Sequence, residues 1–185
     1  MTDRTLIGHQ MRLPDGTLTL ADLWPSGDVR AAIVGMSPSP KSVSSGHYYS
    51  GQVGRRQLRR IADAGLFEPS GFENYDDAAL AAGIAFADIV KHPSPIDKEP
   101  APLDILNGVV VLEEHLERLG VPLVICPFRN PVDKLLGQSK SPVGLQEERT
   151  SWGARVFRMP SPYSPADVVD QHVSKILEVW LGLAR

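Results

Sequence analysis

The chain has a single cysteine, Cys126, among its 185 residues. Neither an internal disulfide framework nor a cysteine-based metal site can be built from it, and a reducing, cytoplasmic setting is the expectation. Long apolar runs are missing as well. Stretches such as Val121 to Phe128 fall far short of the ~20 residues that cross a bilayer, and the polar opening Met1-Thr2-Asp3-Arg4 has no signal-peptide core. No membrane association and no export are expected. Positive charge is not in excess either: 19 Lys and Arg stand against 22 Asp and Glu, for a formal net charge of −3. That balance excludes a protein that coats nucleic acid by bulk attraction, while leaving room for a local basic face.

What is present is an ordinary globular composition, 42% apolar and 22% charged. A chain of this length is expected to form one domain over residues 1–185, burying roughly 70% of its unfolded surface. Four short apolar runs, Ala31 to Met36, Ile84 to Val90, Pro122 to Phe128 and Ala154 to Met159, alternate with segments of helical period. Runs of that length, bounded by Gly and Pro, predict βαβ units. The expected fold class is α/β, a three-layer α/β/α arrangement around a central, mostly parallel four-stranded sheet. Thr17 to Leu20 predicts a small additional N-terminal strand. Ile105, Val109, Leu112, Leu116 and Leu119 make one helical stripe ending before Gly120, and Val169, Val173, Ile176, Leu177 and Trp180 make another after Ser164-Pro165. Pro93 to Pro102 and Gly137 to Thr150 read as loops.

Two Pro/Ser-rich loops hang on the ends of apolar runs. Gly35-Met36-Ser37-Pro38-Ser39-Pro40 follows the first run, and Met159-Pro160-Ser161-Pro162-Tyr163-Ser164-Pro165 follows the last. In an open parallel sheet ligands bind beyond the carboxyl ends of the strands, so loops about 120 residues apart can face one another across a single site. Between them lies a helix of unusual charge, Gly54 to Gly65, in which Arg55, Arg56, Arg59 and Arg60 share one face and Leu58, Ile61 and Ala62 point to the other. Such a face either contacts phosphates or is solvated and paired with nearby acids.

The first loop is followed by Gly46-His47-Tyr48-Tyr49-Ser50-Gly51, then by the cationic helix with its Ala64-Gly65-Leu66 end, by Phe86-Ala87-Asp88-Ile89-Val90-Lys91-His92-Pro93, and finally by Met159-Pro160-Ser161-Pro162. In this order the segments resemble the mismatch-specific uracil/thymine-DNA glycosylases of the uracil-DNA glycosylase superfamily, over roughly residues 17 to 182. That family's first motif reads G-[IM]-N-P-G and its last N-P-S-G or M-P-S-S. The resemblance implies a monofunctional DNA glycosylase, monomeric, acting on DNA that carries uracil or a mismatched or damaged base. It implies no metal and no organic cofactor.

A base inside a duplex is rotated out of the stack into a pocket at a cost of a few kcal/mol, and is read there by stacking and by hydrogen bonds to its edge. By position Tyr49 matches the family's stacking residue, and Met36, Met159 and Ser161 complete the implied base-binding set. Cleavage of the N-glycosidic bond develops oxocarbenium character on the sugar and negative charge on the base, so it needs a held water and donors near the base oxygen. The family's Asn or Asp in the first motif holds that water; Ser37 stands there in this chain. Met159 occupies a place where many superfamily members have a His, and Pro165 one where the family often has an Arg. A substitute for the missing polar groups is sought among loop residues His47, Lys41 and His92, with His47 preferred beside Tyr49. Ser37 and His47 are thus the expected catalytic pair. Lys41, Ser44, Ser45, Arg55, Arg56 and Arg59 are the expected DNA contacts, together with Tyr163, which matches the side chain that fills the gap left by the flipped base.

Two other classes of function stay open on the sequence. The Ser37 departure suits a module that recognises a lesion or an abasic site and cleaves slowly or not at all. The negative net charge suits a small-molecule enzyme acting on a free nucleoside or another N-glycoside on the same scaffold.

Overall fold

The structure, a computed structural model, describes residues 5–95 and 98–183. A hairpin of β1 (Gln10–Arg12) and β2 (Leu18–Leu20) leads into β3 (Ala31–Gly35), the first strand of the main sheet. Three helices follow, α1 (Pro40–Ser45), α2 (Gln52–Asp63) and α3 (Tyr75–Ala81), before β4 (Ile84–Asp88). Helix α4 (Pro102–Arg118), β5 (Leu123–Cys126), α5 (Arg129–Leu135), β6 (Gly144–Arg149), β7 (Arg155–Arg158) and α6 (Ala166–Gly182) complete the chain.

The main sheet has the order β4-β3-β5-β7-β6. Four strands run parallel, and β6 pairs antiparallel with β7 at the edge. The expected three-layer α/β fold is therefore present, but with five strands where four were predicted. The fifth lies in the Gly137 to Thr150 stretch read as a loop, for a physical reason. Of Gly144 to Arg149, the last three residues, Glu147, Glu148 and Arg149, are exposed, so the strand shows no apolar alternation. Charged residues of this kind are what an edge strand carries to discourage further pairing. The described residues of the Pro93 to Pro102 stretch are irregular up to Ala101, the N-cap of α4; residues 96 and 97 lie outside the described residues. The strand expected over Thr17 to Leu20 is present as β2, beginning at Leu18 and paired across to β1.

Each central strand is buried on both faces, and period-2 alternation divides its side chains between two cores. Ala31 and Ile33 of β3 join Leu58 and Ile61 of α2 and Ile176 and Trp180 of α6 on one side. Ala32 and Val34 join Ile105, Leu112 and Leu116 of α4 on the other. The two helical stripes are core as expected, although Val109 and Leu177 are only partly buried and Leu119 is 38% exposed where the helix ends. No helix among the described residues is long and apolar enough to cross a membrane.

Strand β3 has later strands on both sides, because the chain passes to β4 on one flank and returns to β5 on the other. Such a reversal leaves a crevice at the carboxyl ends of the strands. The loop leaving β3 is shaped there by α1. Ser39 Oγ accepts a hydrogen bond from the Ser42 N–H at 3.1 Å, Pro40 takes the first turn, and Gly46 closes the helix at φ 77°.

Candidate active site

A cavity of about 870 Å³ opens at this crevice, within the ~300–1,000 Å³ range of small-ligand sites. Loops from four strand ends meet around it. Gly35 closes β3 and Ser37 follows it, Asp88 closes β4, Phe128 follows β5, and Tyr163 follows β7, with Tyr49 reaching in from the segment between α1 and α2.

The floor depends on a glycine. Gly35, the last residue of β3, pairs in register with Asp88, the last of β4. A Cβ on Gly35 would lie 2.1 Å from Asp88 Oδ1 and 2.9 Å from Tyr49 Oη. Only glycine allows both polar groups to close against the strand end. Asp88 is 3% exposed. Burial pushes its carboxyl up to about 7, against the pull of the Lys91 ammonium and with a smaller push from Asp22. Lys91 is itself engaged, its Nζ donating to Asp22 Oδ1 and to the Asp88 carbonyl, each at 2.5 Å. Burial, followed by the nearby Asp88 charge, raises the Tyr49 phenol well above its ordinary value, so this hydroxyl keeps its proton. Tyr49 Oη and Asp88 Oδ2 are both buried with no hydrogen-bond partner among the described residues. Buried polar groups are almost always paired, so two such atoms at the floor of one cavity point to a ligand that pairs them.

Tyr49 is held under strain. Its φ of 54° lies in the left-handed region, which costs a non-glycine residue on the order of 1–3 kcal/mol and persists where the surroundings enforce it. The enforcing element is α2. A Cβ on Gly54 would lie 2.7 Å from the Tyr49 Cα, Cβ and carbonyl oxygen, so the helix packs its glycine directly on that backbone. Gly54→Ala is expected to destabilise the fold by about 1–3 kcal/mol through overpacking and to displace Tyr49. Urea titration measures this, and an unchanged midpoint would contradict the packing account.

Aromatic rings frame the cavity. The Tyr49 ring centroid lies 6.4 Å from Phe86 in the core and 6.4 Å from Phe128 at the mouth. Tyr163 stands 76% exposed at the rim, with the Arg56 guanidinium carbon 5.7 Å from its ring centre.

Of the residues singled out from sequence, Met36, Ser37, Lys41, Tyr49 and Tyr163 come together on this cavity. Others do not. Met159 is 1% exposed and packs in the core on the α2/α6 side of the sheet, so the structure does not place it against a base. Ser161 is turned to its own loop, its Oγ accepting from the Tyr163 N–H at 3.3 Å. Ser44 and Ser45 donate their hydroxyls to the Lys41 and Ser42 carbonyls of α1, both at 2.9 Å. The expected role of His47 in catalysis also meets a geometric obstacle. Its Nδ1 faces the Asp76 carboxylate at 3.1 Å and 3.2 Å, and the ring is not among the groups lining the cavity. His92 is paired with Asp15 at 2.9 Å on the surface.

The cationic helix divides into two pairs. Arg56 donates to the Pro162 carbonyl at 3.1 Å, and Arg60 donates to the carbonyls of Ser161 at 2.7 Å and Ser164 at 3.2 Å. These two guanidiniums clamp the last motif loop, using donors that a phosphate contact would require. Buried Gln57 adds to the clamp, donating to the Pro127 and Pro160 carbonyls at 2.7 Å and 2.9 Å. Arg55 is exposed, and Arg59 forms an exposed pair with Asp63 at 3.6 Å.

Sequence reasoning missed Asp88, Phe128 and Asn130, all on the cavity wall. The available signal for Asp88 was a carboxylate closing the apolar run Ile84-Ala85-Phe86-Ala87. A charge at the carboxyl end of a strand buried on both faces is costly, and strand ends are where sites form.

The fold and the cavity define a class: a three-layer α/β/α protein whose strand-end loops enclose a pocket with an unpaired hydroxyl and carboxyl at its floor. The sequence pattern of the uracil DNA glycosylase superfamily matches residues 22–179, and the chain belongs to that superfamily. Membership supports a DNA glycosylase-type function in base excision repair, with DNA as the partner. A comparison with curated proteins gives no match.

Proposed function

We propose that this chain is a monofunctional glycosylase that extrudes uracil, or a related deaminated or mismatched base, from DNA and hydrolyses its N-glycosidic bond, as the resemblance to the mismatch-specific branch implies. The observation that carries this reading is the unpartnered pair at the cavity floor, Tyr49 Oη and Asp88 Oδ2. The edge of uracil presents one N–H between two carbonyl oxygens. A protonated carboxyl accepts from that N–H through one oxygen and donates to a neighbouring carbonyl through the other, and the Tyr49 hydroxyl supplies a further donor. As the glycosidic bond breaks, negative charge grows on the base, and fixed donors in a water-poor floor stabilise it.

In the other half of the reaction water attacks the sugar carbon: a C–O bond forms as the C–N bond breaks, the base leaves as an anion, and the surplus proton of the water passes to that anion or to solvent. Ser37 lines the cavity and offers a hydroxyl to hold the water. Exposed Tyr163 at the rim is placed to fill the stack after extrusion, while Lys41 and Arg55 offer charge to the phosphates. Release of the base from a labelled uracil-containing duplex tests this reading.

A second reading is supported by Ser37 itself, which has neither an amide nor a carboxylate to orient water. In it the same pocket binds a lesion or an abasic site without efficient cleavage. Gel shifts with damaged and undamaged duplexes at several salt concentrations distinguish it; equal, weak affinity for all of them would count against it.

A further inference from the structure

Outside the cavity, four side chains from three separate segments converge. His9 precedes β1, His47 lies between α1 and α2, and Asp76 and Asp77 stand in the first turn of α3. One potential ligand atom from each lies within 4.8 Å of all the others. His9 Nε2 is 2.8 Å from Asp77 Oδ1 and 3.9 Å from Asp76 Oδ2, and His47 Nδ1 is 3.1 Å from Asp76 Oδ1 and 3.8 Å from Asp77 Oδ2. Four ligands at zinc distances of ~2.0–2.2 Å occupy a tetrahedron with edges of about 3.3–3.6 Å. The observed separations use both oxygens of each carboxylate, while one ligand atom from each side chain lies within 4.8 Å of the others, so rotation of the side chains is what closes the set on an ion.

The backbone is built to bring the two imidazoles together. The His9 N–H donates to the Gly46 carbonyl at 2.7 Å. A Cβ on Gly8 would lie 2.5 Å from the Gly46 oxygen, and one on Gly46 would lie 2.4 Å from the Ile7 oxygen. Both glycines have positive φ, 51° and 77°. The two chains thus cross at a distance only glycine permits, and each glycine is followed directly by one of the histidines. The rings meet edge to face with centroids 5.1 Å apart. Asp76 is 1% exposed and is oriented by the Tyr48 N–H at 2.8 Å. Asn74 Nδ2 donates to Asp77 Oδ2 at 3.2 Å, an outer contact of the kind that fixes the direction of a metal ligand.

We propose that His9, His47, Asp76 and Asp77 form a structural site for one zinc-class divalent cation. Two imidazoles and two carboxylates suit zinc, whereas magnesium and calcium prefer sets made only of oxygen. Four protein ligands leave no open position, which marks a structural rather than a catalytic centre. The ion would tie the N-terminal segment and α3 to the loop that carries Tyr48 and Tyr49, and so reinforce the left-handed Tyr49 backbone at the cavity floor. This site stands whether or not the cavity cleaves DNA.

The test uses the untagged full-length chain, stripped with a chelator and titrated with zinc alone. About one zinc per chain should survive gel filtration, and the melting temperature should rise by several degrees, since an ion bound only by the folded state stabilises it. Magnesium at the same concentration should have no effect, and cobalt(II) should give the visible absorption of a four-coordinate site. His9→Ala and Asp77→Asn should each weaken zinc binding at least about 100-fold, because outer partners alone change metal affinity ten- to 100-fold. Metal-free, both variants should melt close to the metal-free parent. Retention of far less than one zinc per chain would overturn the proposal, as would unchanged zinc affinity in both variants. Should a variant fail to fold, the parent's stoichiometry and cobalt spectrum decide the matter.

Discussion

Asp88→Asn should be more stable than the parent protein at pH 8, with the difference shrinking as the pH falls toward 4. Burial raises the folded-state carboxyl from 3.8 to about 7. Below 3.8 both the folded and unfolded chains carry the proton, and the group has no net effect on stability. Between 3.8 and about 7 the folded chain binds more protons than the unfolded one, so stability falls as the pH rises. Above about 7 both are ionised and the full cost of the buried charge is present. A shift of this size corresponds to up to about 4 kcal/mol, or on the order of 10 °C in melting temperature for a domain of this length. Asparagine has the same shape and no charge to bury. Melting curves of both proteins from pH 4 to pH 8 measure the effect; parallel curves would show that Asp88 does not titrate in this range.

The same substitution separates the chemistry from the stability. In the proposed mechanism the base-reading donor is the carboxyl proton, so cleavage should decline about tenfold per pH unit above about 7. The amide of Asn keeps a donor and an acceptor at every pH, and the decline should flatten in the variant.

Ser37→Asn should raise the rate of uracil release by at least about 100-fold, the scale associated with a single positioned catalytic group. Ser37 is half-buried on the cavity wall, next to open space, so the longer side chain has room to reach a water. Single-turnover rates on a uracil-containing duplex provide the measurement. An unchanged rate would mean that Ser37 does not limit catalysis and that another group on the wall, such as Asn130, holds the water.

Much of the fold is legible in the sequence because the parallel strands are buried on both faces. Ala31 to Val34 and Leu123 to Cys126 are unbroken apolar runs with Gly or Pro nearby, and nothing but a buried strand suits them. Strand β6 is not legible, since an edge strand needs only one partner and tolerates Glu147 and Glu148 on open faces. The site is legible in part for a different reason. The Pro/Ser loops reveal where the strands end, so Met36, Ser37 and Tyr163 could be placed together before any coordinates. Orientation is what sequence withholds. His47 and Tyr49 are two residues apart, yet the left-handed turn at Tyr49 sends its ring to the cavity while His47 faces Asp76. Likewise the arginine face of α2 is evident from its period, but the carbonyls of Ser161, Pro162 and Ser164 that occupy Arg56 and Arg60 lie about 100 residues further along the chain.

The central claim is that the cavity holds an extruded base and cuts its bond to the sugar. Its most direct test is incubation of the protein, in excess, with an end-labelled duplex containing one uracil, followed by alkali. The account predicts strand breakage at the uracil and none in the matched control duplex. An intact strand under conditions where the protein is folded and binds that duplex would contradict it.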